Sequence, residues 1–175
     1  MSEKDNSQHS QEKHLHAYDR MMERVRAAIQ DFEKEAGPVL GHVIDIAKDK
    51  SVELGEVTRE EAEKIGAYLK RDIEDAAEYL ASPNAKELAD WFKFDIDQIE
   101  DRLLEMFTSV ADSTKVELMA LEERARQGGE YHTGEITGIG TLECTQCGQQ
   151  IHFKTTGHIP PCPHCHQTGF VRPLS

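Results

Sequence analysis

The stretch LECTQCGQQIHFKTTGHIPPCPHCHQTGF, residues 142–170, holds every cysteine of a 175-residue chain, Cys144, Cys147, Cys162 and Cys165, as two C-x-x-C pairs with fourteen residues between them. A C-x-x-C turn can bring both of its sulfurs to a common point, and fourteen residues suffice to run out and back as a hairpin. Two such pairs therefore close a tetrahedron around one ion. Ile151 and Phe153 alternate with His152 and Lys154, which predicts a strand, and Phe170 with Val171 supplies another. Gly148 follows the first pair, where a left-handed residue is needed, and Pro163 presets the turn of the second. Upstream, EYHTGEITGIGTLEC (130–144) is rich in Gly and Thr, with Ile136, Ile139 and Leu142 scattered through it, as suits turns and short strands.

The expectation for residues 129–175 is a three-stranded ribbon stapled by four thiolates. So short a segment cannot bury enough apolar surface to fold unaided. With all four coordination positions taken by sulfur, no place remains for water or substrate, so the site is structural and Zn2+ is the ion expected. Iron in a rubredoxin-like centre would use the same four sulfurs, and spacing separates the two metals poorly. His164 and His166 flank Cys165 and could replace a cysteine ligand; with four cysteines already paired they are expected to be exposed or beside the site. His132 and His158 have no evident partner. A thioredoxin-type pair needs its C-x-x-C at a helix N-terminus, whereas Cys147 precedes a turn and a strand. A disulfide framework belongs to oxidising compartments. The start of the chain, MSEKDNSQHSQEKHLH, lacks the apolar run of a secretory signal, so a cytoplasmic location and reduced cysteines are expected.

Outward from the ribbon the chain is helical. Residues 1–13 are polar and without periodicity, and are expected to be a disordered tail, with His9, His14 and His16 as loose metal candidates at most. Residues 14–128 read as an acidic helical domain. Met22, Val25, Ile29, Phe32 and Ala36 recur at three- and four-residue steps before Gly37-Pro38; Val39, Leu40, Val43, Ile44 and Ala47 restart the stripe, and Gly55 offers a stop. Thr58 and Glu61 have the spacing of a capping box, so a new helix starts there. It carries Ala62, Ile65, Leu69, Ile73, Ala76 and Leu80 on one face and ends before Pro83. From Asn84 to Gln127 there is neither Pro nor Gly, and Leu88, Phe92, Ile96, Ile99, Leu103, Met106 and Val110 form a heptad-like seam weakening toward Leu121. Unbroken, that helix would be about 65 Å long. Its expected partner is the preceding helix, in an antiparallel coiled-coil-like hairpin, with the first two helices completing a bundle or pairing with another copy. Asp90, Asp95, Asp97 and Asp101 are read as the wet face, and Trp91 as a candidate interface residue.

The formal charge is −13, nearly all of it before Gly129. That balance opposes autonomous binding to nucleic acid, which needs a cluster of cations to displace counterions. No apolar run is long enough to span a membrane. No Gly-rich phosphate loop, Ser-His-Asp arrangement or pair of Glu-x-x-His motifs is present. The function expected is therefore non-enzymatic: an interaction or adaptor module with a protein partner, and homo-oligomerisation through the helices as a possibility. The alternatives are an iron redox protein that resembles rubrerythrins in placing a four-cysteine domain after helices, and, more weakly, a ribbon associated with nucleic acid or transcription.

Taken together, the long acidic helices, GEVTREE (55–61), YHTGEITGIGTLECTQCG (131–148) and PCPHC (161–165) resemble the YbeL-like zinc-ribbon family of bacterial cytoplasmic proteins. The resemblance runs over nearly the whole chain after the polar first dozen residues, and YHTGE with its glycine-rich lead into Cys144 carries most weight, since generic ribbons lack it. It implies Cys144, Cys147, Cys162 and Cys165 as zinc ligands and brings no activity. One departure is His166, where such knuckles commonly have glycine.

Overall fold

A computed structural model describes residues 3–32, 40–81, 101–120 and 129–173. Among these, four helices, α1 (Glu3–Phe32), α2 (Leu40–Glu53), α3 (Arg59–Ala81) and α4 (Asp101–Ala120), precede six short strands. The strands are β1 (Tyr131–His132), β2 (Ile136–Thr137), β3 (Gly140–Cys144), β4 (Gln150–Phe153), β5 (Gly157–His158) and β6 (Gly169–Val171).

The helices form where the apolar stripes predict them. Met22, Val25 and Ile29 on α1, Leu40, Val43, Ile44 and Ala47 on α2, and Ala62, Ile65, Leu69, Ile73 and Ala76 on α3 all enter one core, joined by Met106, Phe107 and Val110 of α4. α3 is the central element, packing on α1, α2, α4 and strand β2. α3 pairs with α4, the next described helix, as expected, and α1 and α2 close the same core, so of the two arrangements expected for them these four segments take the bundle. Ala36, Gly37-Pro38, Val39, Pro83, Gly128, the seam residues Leu88, Phe92, Ile96, Ile99 and Leu121, and Asp90, Trp91, Asp95 and Asp97 lie outside the described residues. The full rod expected over residues 84–127 does too; α4 accounts for Asp101–Ala120.

Chain punctuation is local and obeys helix-end chemistry. At the end of α2, Gly55 has φ 67°. Its amide donates to the Val52 carbonyl at 3.0 Å while the Glu56 amide donates to the Ser51 carbonyl at 3.0 Å, the paired bonds of a Schellman end. At the start of α3 the Glu61 amide donates to Thr58 Oγ1 at 3.2 Å and the Thr58 amide to Glu61 Oε2 at 2.7 Å, a complete capping box. Glu61 also holds the ring of His14 at 2.7 Å, tying α1 to α3. The turn between α2 and α3 is clamped to α1 by Glu56, which accepts from both guanidinium nitrogens of Arg24 at 2.7 and 2.8 Å and from Arg20 at 2.7 Å. These contacts, Arg24 foremost, hold the Glu56 carboxyl down at about 2.

α1 begins at Glu3, well ahead of the first apolar stripe position, in a segment expected to have no helix. Residues 7–13 of that extension are exposed, so no periodicity marked them, yet none is Gly or Pro.

The strands form two antiparallel sheets. One runs β1-β6-β3-β4; β2 and β5 form the other. The two strands expected around Ile151 and Phe153 and at Phe170 with Val171 are β4 and β6; β3 lies between them, and β1 adds a fourth strand at the edge opposite β4, where Tyr131 pairs with Phe170. Tyr131, Leu142, Ile159 and Phe170 fill a small core of their own with Cys144 and Cys162, against which the partly buried Cys165 packs. Ile136 and Ile139, by contrast, belong to the helical core. The ribbon is thus docked on the helices through β2 and the turn that follows it.

Candidate metal centre and its attachment to the helices

Both knuckles are built alike. Cys144 closes β3, and its amide donates to the Gln149 carbonyl at 2.9 Å while Gly148 donates back to the Cys144 carbonyl at 2.9 Å. Eighteen residues on, the Cys162 amide donates to the Gln167 carbonyl and His166 back to the Cys162 carbonyl, both at 2.9 Å. Each loop needs one residue in the left-handed region. Gly148 supplies it at φ 72° and His166 at φ 60°, and His166 is the one non-glycine residue with positive φ among those described. The departure noted at His166 leaves the turn geometry intact at the cost of a left-handed β-carbon, about 1–2 kcal/mol.

The result brings Cys144, Cys147, Cys162 and Cys165 together, all four Sγ atoms within 4.8 Å of one another. Cys144 and Cys165 are 3.5 Å apart and Cys147 and Cys162 3.6 Å. Sulfurs at about 2.3 Å from a tetrahedral zinc lie about 3.8 Å from each other, whereas a disulfide needs about 2.05 Å. All four cysteines are free, so a disulfide framework does not hold the ribbon. Ionisation follows the same logic. At Cys162 burial opposes the thiolate, but the amides of Cys165 and His164 and the neighbouring sulfurs bring it down to about 6. At Cys147 the Gln149 amide favours the thiolate, yet desolvation and three adjacent thiols push it up to about 12. Four sulfurs this close cannot all ionise without a cation among them. The donor set fits one zinc ion, and it leaves no open ligand position.

Among the described residues this is the one cluster of three or more His, Cys, Asp or Glu ligand atoms so close. His164 and His166 are exposed. His132 lies 3.7 Å from Glu135, and His158 Nδ1 sits 3.1 Å from the Gly134 carbonyl oxygen. Neither meets the cysteines.

Sequence reasoning missed the second half of the site, a buried ionic seam where the ribbon meets α3. Arg172 follows β6, and its side chain is 1% exposed. Its Nη2 donates to Thr137 Oγ1 at 2.8 Å, Nε to Tyr131 Oη at 2.8 Å and Nη1 to the Ile139 carbonyl at 3.3 Å; Nη2 lies 3.5 Å from Asp72 Oδ1. Asp72 is fully buried and also accepts from Tyr18 Oη at 2.5 Å and the Gly138 amide at 2.6 Å. Tyr131 donates to Asp75, which accepts from the Gly129 amide at 3.3 Å as well. Arg71 lies 3.7 Å from the centre of the Tyr131 ring and reaches Glu135 at 2.5 Å and the Ile136 carbonyl at 3.1 Å.

The electrostatic consequences agree with that burial. Desolvation, aided by Asp72 at Tyr18, drives the Tyr18 and Tyr131 phenols well above the usual range. It raises Asp75 too, against the pull of Tyr131 and Arg172. The signal available in the sequence was positional: Asp72 stands at the step between Leu69 and Ala76, inside the apolar stripe of α3. A charge there asks for a partner, although nothing nearby in the chain names Arg172.

Among the described residues no helix is long and apolar enough to cross a membrane. Comparison with known proteins adds the family. The uncharacterised protein YbeL of Escherichia coli strain K12 is 26% identical over 130 residues, covering 74% of this chain and 79% of the relative. Its counterparts in Escherichia coli O6:H1 and O157:H7 match to the same extent. No solved structure matches the chain. The pattern of a zinc-ribbon containing domain matches residues 7–173, helices and ribbon alike. With the four-sulfur cluster at its end and the match running the length of its described fold, the chain belongs to the zinc-ribbon containing domain family.

Proposed function

We propose that this is a non-enzymatic zinc protein of the cytoplasm, in which Cys144, Cys147, Cys162 and Cys165 hold one structural Zn2+ and the ribbon and helical platform together serve as an interaction or adaptor module for a protein partner. The observation that carries the reading is the closed sulfur tetrahedron: every ligand position is filled from the chain, so the ion has no site at which to bind or polarise a substrate. When bound, the metal supplies folding free energy to the ribbon, on the order of 10–16 kcal/mol in small zinc-dependent domains near neutral pH. The chain's own residues do the rest. The knuckle amides orient the sulfurs, β6 joins β3 to the edge strand β1, and Arg172 with Tyr131 fixes the ribbon on α3.

The net charge of −13 favours partners that are not nucleic acids. The test has two stages. Metal analysis and an absorption spectrum of purified protein should give one zinc per chain and no visible colour; a red ferric-thiolate chromophore would make it an iron redox protein instead. Affinity capture of the intact protein from cells, repeated with Cys162→Ser, should then recover a partner in a ribbon-dependent way. Catalytic turnover with the metal-loaded protein would contradict the non-enzymatic reading.

A further inference from the structure

We propose that metal occupancy of the ribbon controls how firmly the helical bundle is closed, with Arg172 as the coupling residue. The inference rests on the metal-binding reading above and concerns what that metal does to the rest of the chain. Its ground is the way buried charge is shared between the two parts. α3 contributes Asp72, whose side chain has no solvent exposure, and Asp75, 5% exposed. Most of what compensates them comes from the ribbon: the Arg172 guanidinium, the Thr137 hydroxyl and the Gly138 amide at Asp72, and the Tyr131 hydroxyl and the Gly129 amide at Asp75. Among the described residues, Tyr18 of α1 and the neighbouring Arg71 are what remain to Asp72 from the helices. Arg71 is itself tied to Glu135 of the ribbon.

Thr137 ends β2, which pairs with β5, and Gly138 follows it, whereas Tyr131 and Arg172 are held by the sheet whose strand β3 ends in Cys144. Phe170 pairs with Cys144 on one side and with Tyr131 on the other, and Arg172 is two residues further along. The register that places Arg172 over Asp72 is therefore the register that closes the first knuckle. Loss of the ion releases the knuckles, then the β3–β6–β1 ladder, then Arg172 and Tyr131. Two carboxylates are left in an apolar bundle with few partners, a state that α3 relieves by opening to water or by taking up protons. Metal supply is thereby transmitted from one end of the chain to the face of α3 against α1, without any contact between those helices and the ion.

Hydrogen exchange of the intact, reduced protein tests this, with metal content measured in the same samples before and after EDTA. Metal removal should speed amide exchange in residues 68–76 of α3 by about tenfold or more, and added zinc should restore protection. In Asp72→Asn/Arg172→Met, which removes the Asp72–Arg172 pair and leaves Asp75, the acceleration should fall to about half the wild-type factor or less. Unchanged α3 exchange in metal-free wild type overturns the proposal, as does equal acceleration in the double variant. If the double variant does not fold, Arg172→Met alone decides: loaded with metal, it should already exchange faster in α3 than loaded wild type, and exchange there as slow as in loaded wild type also overturns it. A protein that binds no metal at all overturns the underlying reading instead, and elemental analysis shows this before any exchange is measured.

Discussion

Replacing Arg172 with Met removes the guanidinium but keeps an unbranched apolar stem of similar reach, so the main loss is charge. Arg172 and Asp72 approach to 3.5 Å. At an effective dielectric of 20 that separation corresponds to about 4.7 kcal/mol of attraction, and breaking a buried pair by deleting one member typically costs about 3–5 kcal/mol. Arg71, 3.5 Å from the same carboxylate, limits the damage, so the lower part of that range applies, about 3 kcal/mol. For a chain of this size each kcal/mol moves the thermal midpoint by about 2–4 °C, giving an expected fall of about 6–12 °C. The assay is thermal unfolding of zinc-saturated protein followed at 222 nm, with Asp72→Asn and the double variant completing a mutant cycle. The cycle should return a coupling of about 2 kcal/mol, the double variant being more stable than the sum of the single losses implies. A fall under 2 °C on Arg172→Met, or strictly additive effects, would refute the view that this pair fastens the ribbon to the helices.

The two knuckles give opposite predictions from one geometry: Gly148→Ala should weaken zinc affinity about fivefold in a chelator competition, and His166→Gly should strengthen it by up to about as much, since only His166 carries a β-carbon at positive φ. A β-carbon on Gly138 would come within 2.9 Å of Tyr18 Oη and 3.6 Å of Asp72 Oδ2, so Gly138→Ala should cost about 1–3 kcal/mol in urea unfolding. Glu56 and Glu61 are both depressed to about 2 in the folded protein, Glu56 chiefly by Arg24 and Glu61 by the Thr58 amide. Their contribution is complete above their unfolded value of 4.5 and is lost as pH falls through about 2; Glu56→Gln should remove about 1–2 kcal/mol at pH 7, after allowance for solvent screening, and flatten that part of the acid limb.

What could be read from sequence was local. The capping box at Thr58 and Glu61, the stop at Gly55, the left-handed Gly148 and the two knuckles each depend on residues within a few positions of one another, and each forms as expected. The stripes on α1, α2 and α3 identified the core because burial imposes a period on neighbouring residues. The N-terminal extension of α1 has no such period, as its residues 7–13 face solvent. The buried seam escaped for a different reason. Arg172 and Asp72 are a hundred residues apart, and charged side chains on a helix ordinarily mark its wet face, so only the place of Asp72 within an apolar stripe hinted at it. The fourth strand was equally long-range: Tyr131 joins the sheet only because Phe170 is already held beside Cys144.

Zinc-edge X-ray absorption on the purified, reduced protein measures the central claim directly, because it counts the atoms around the ion and their distances. Four sulfurs at about 2.3 Å, with one zinc per chain, is the result predicted here. Fewer than four sulfurs, a shell containing nitrogen or oxygen, or protein that stays folded through residues 129–173 with no metal would contradict it.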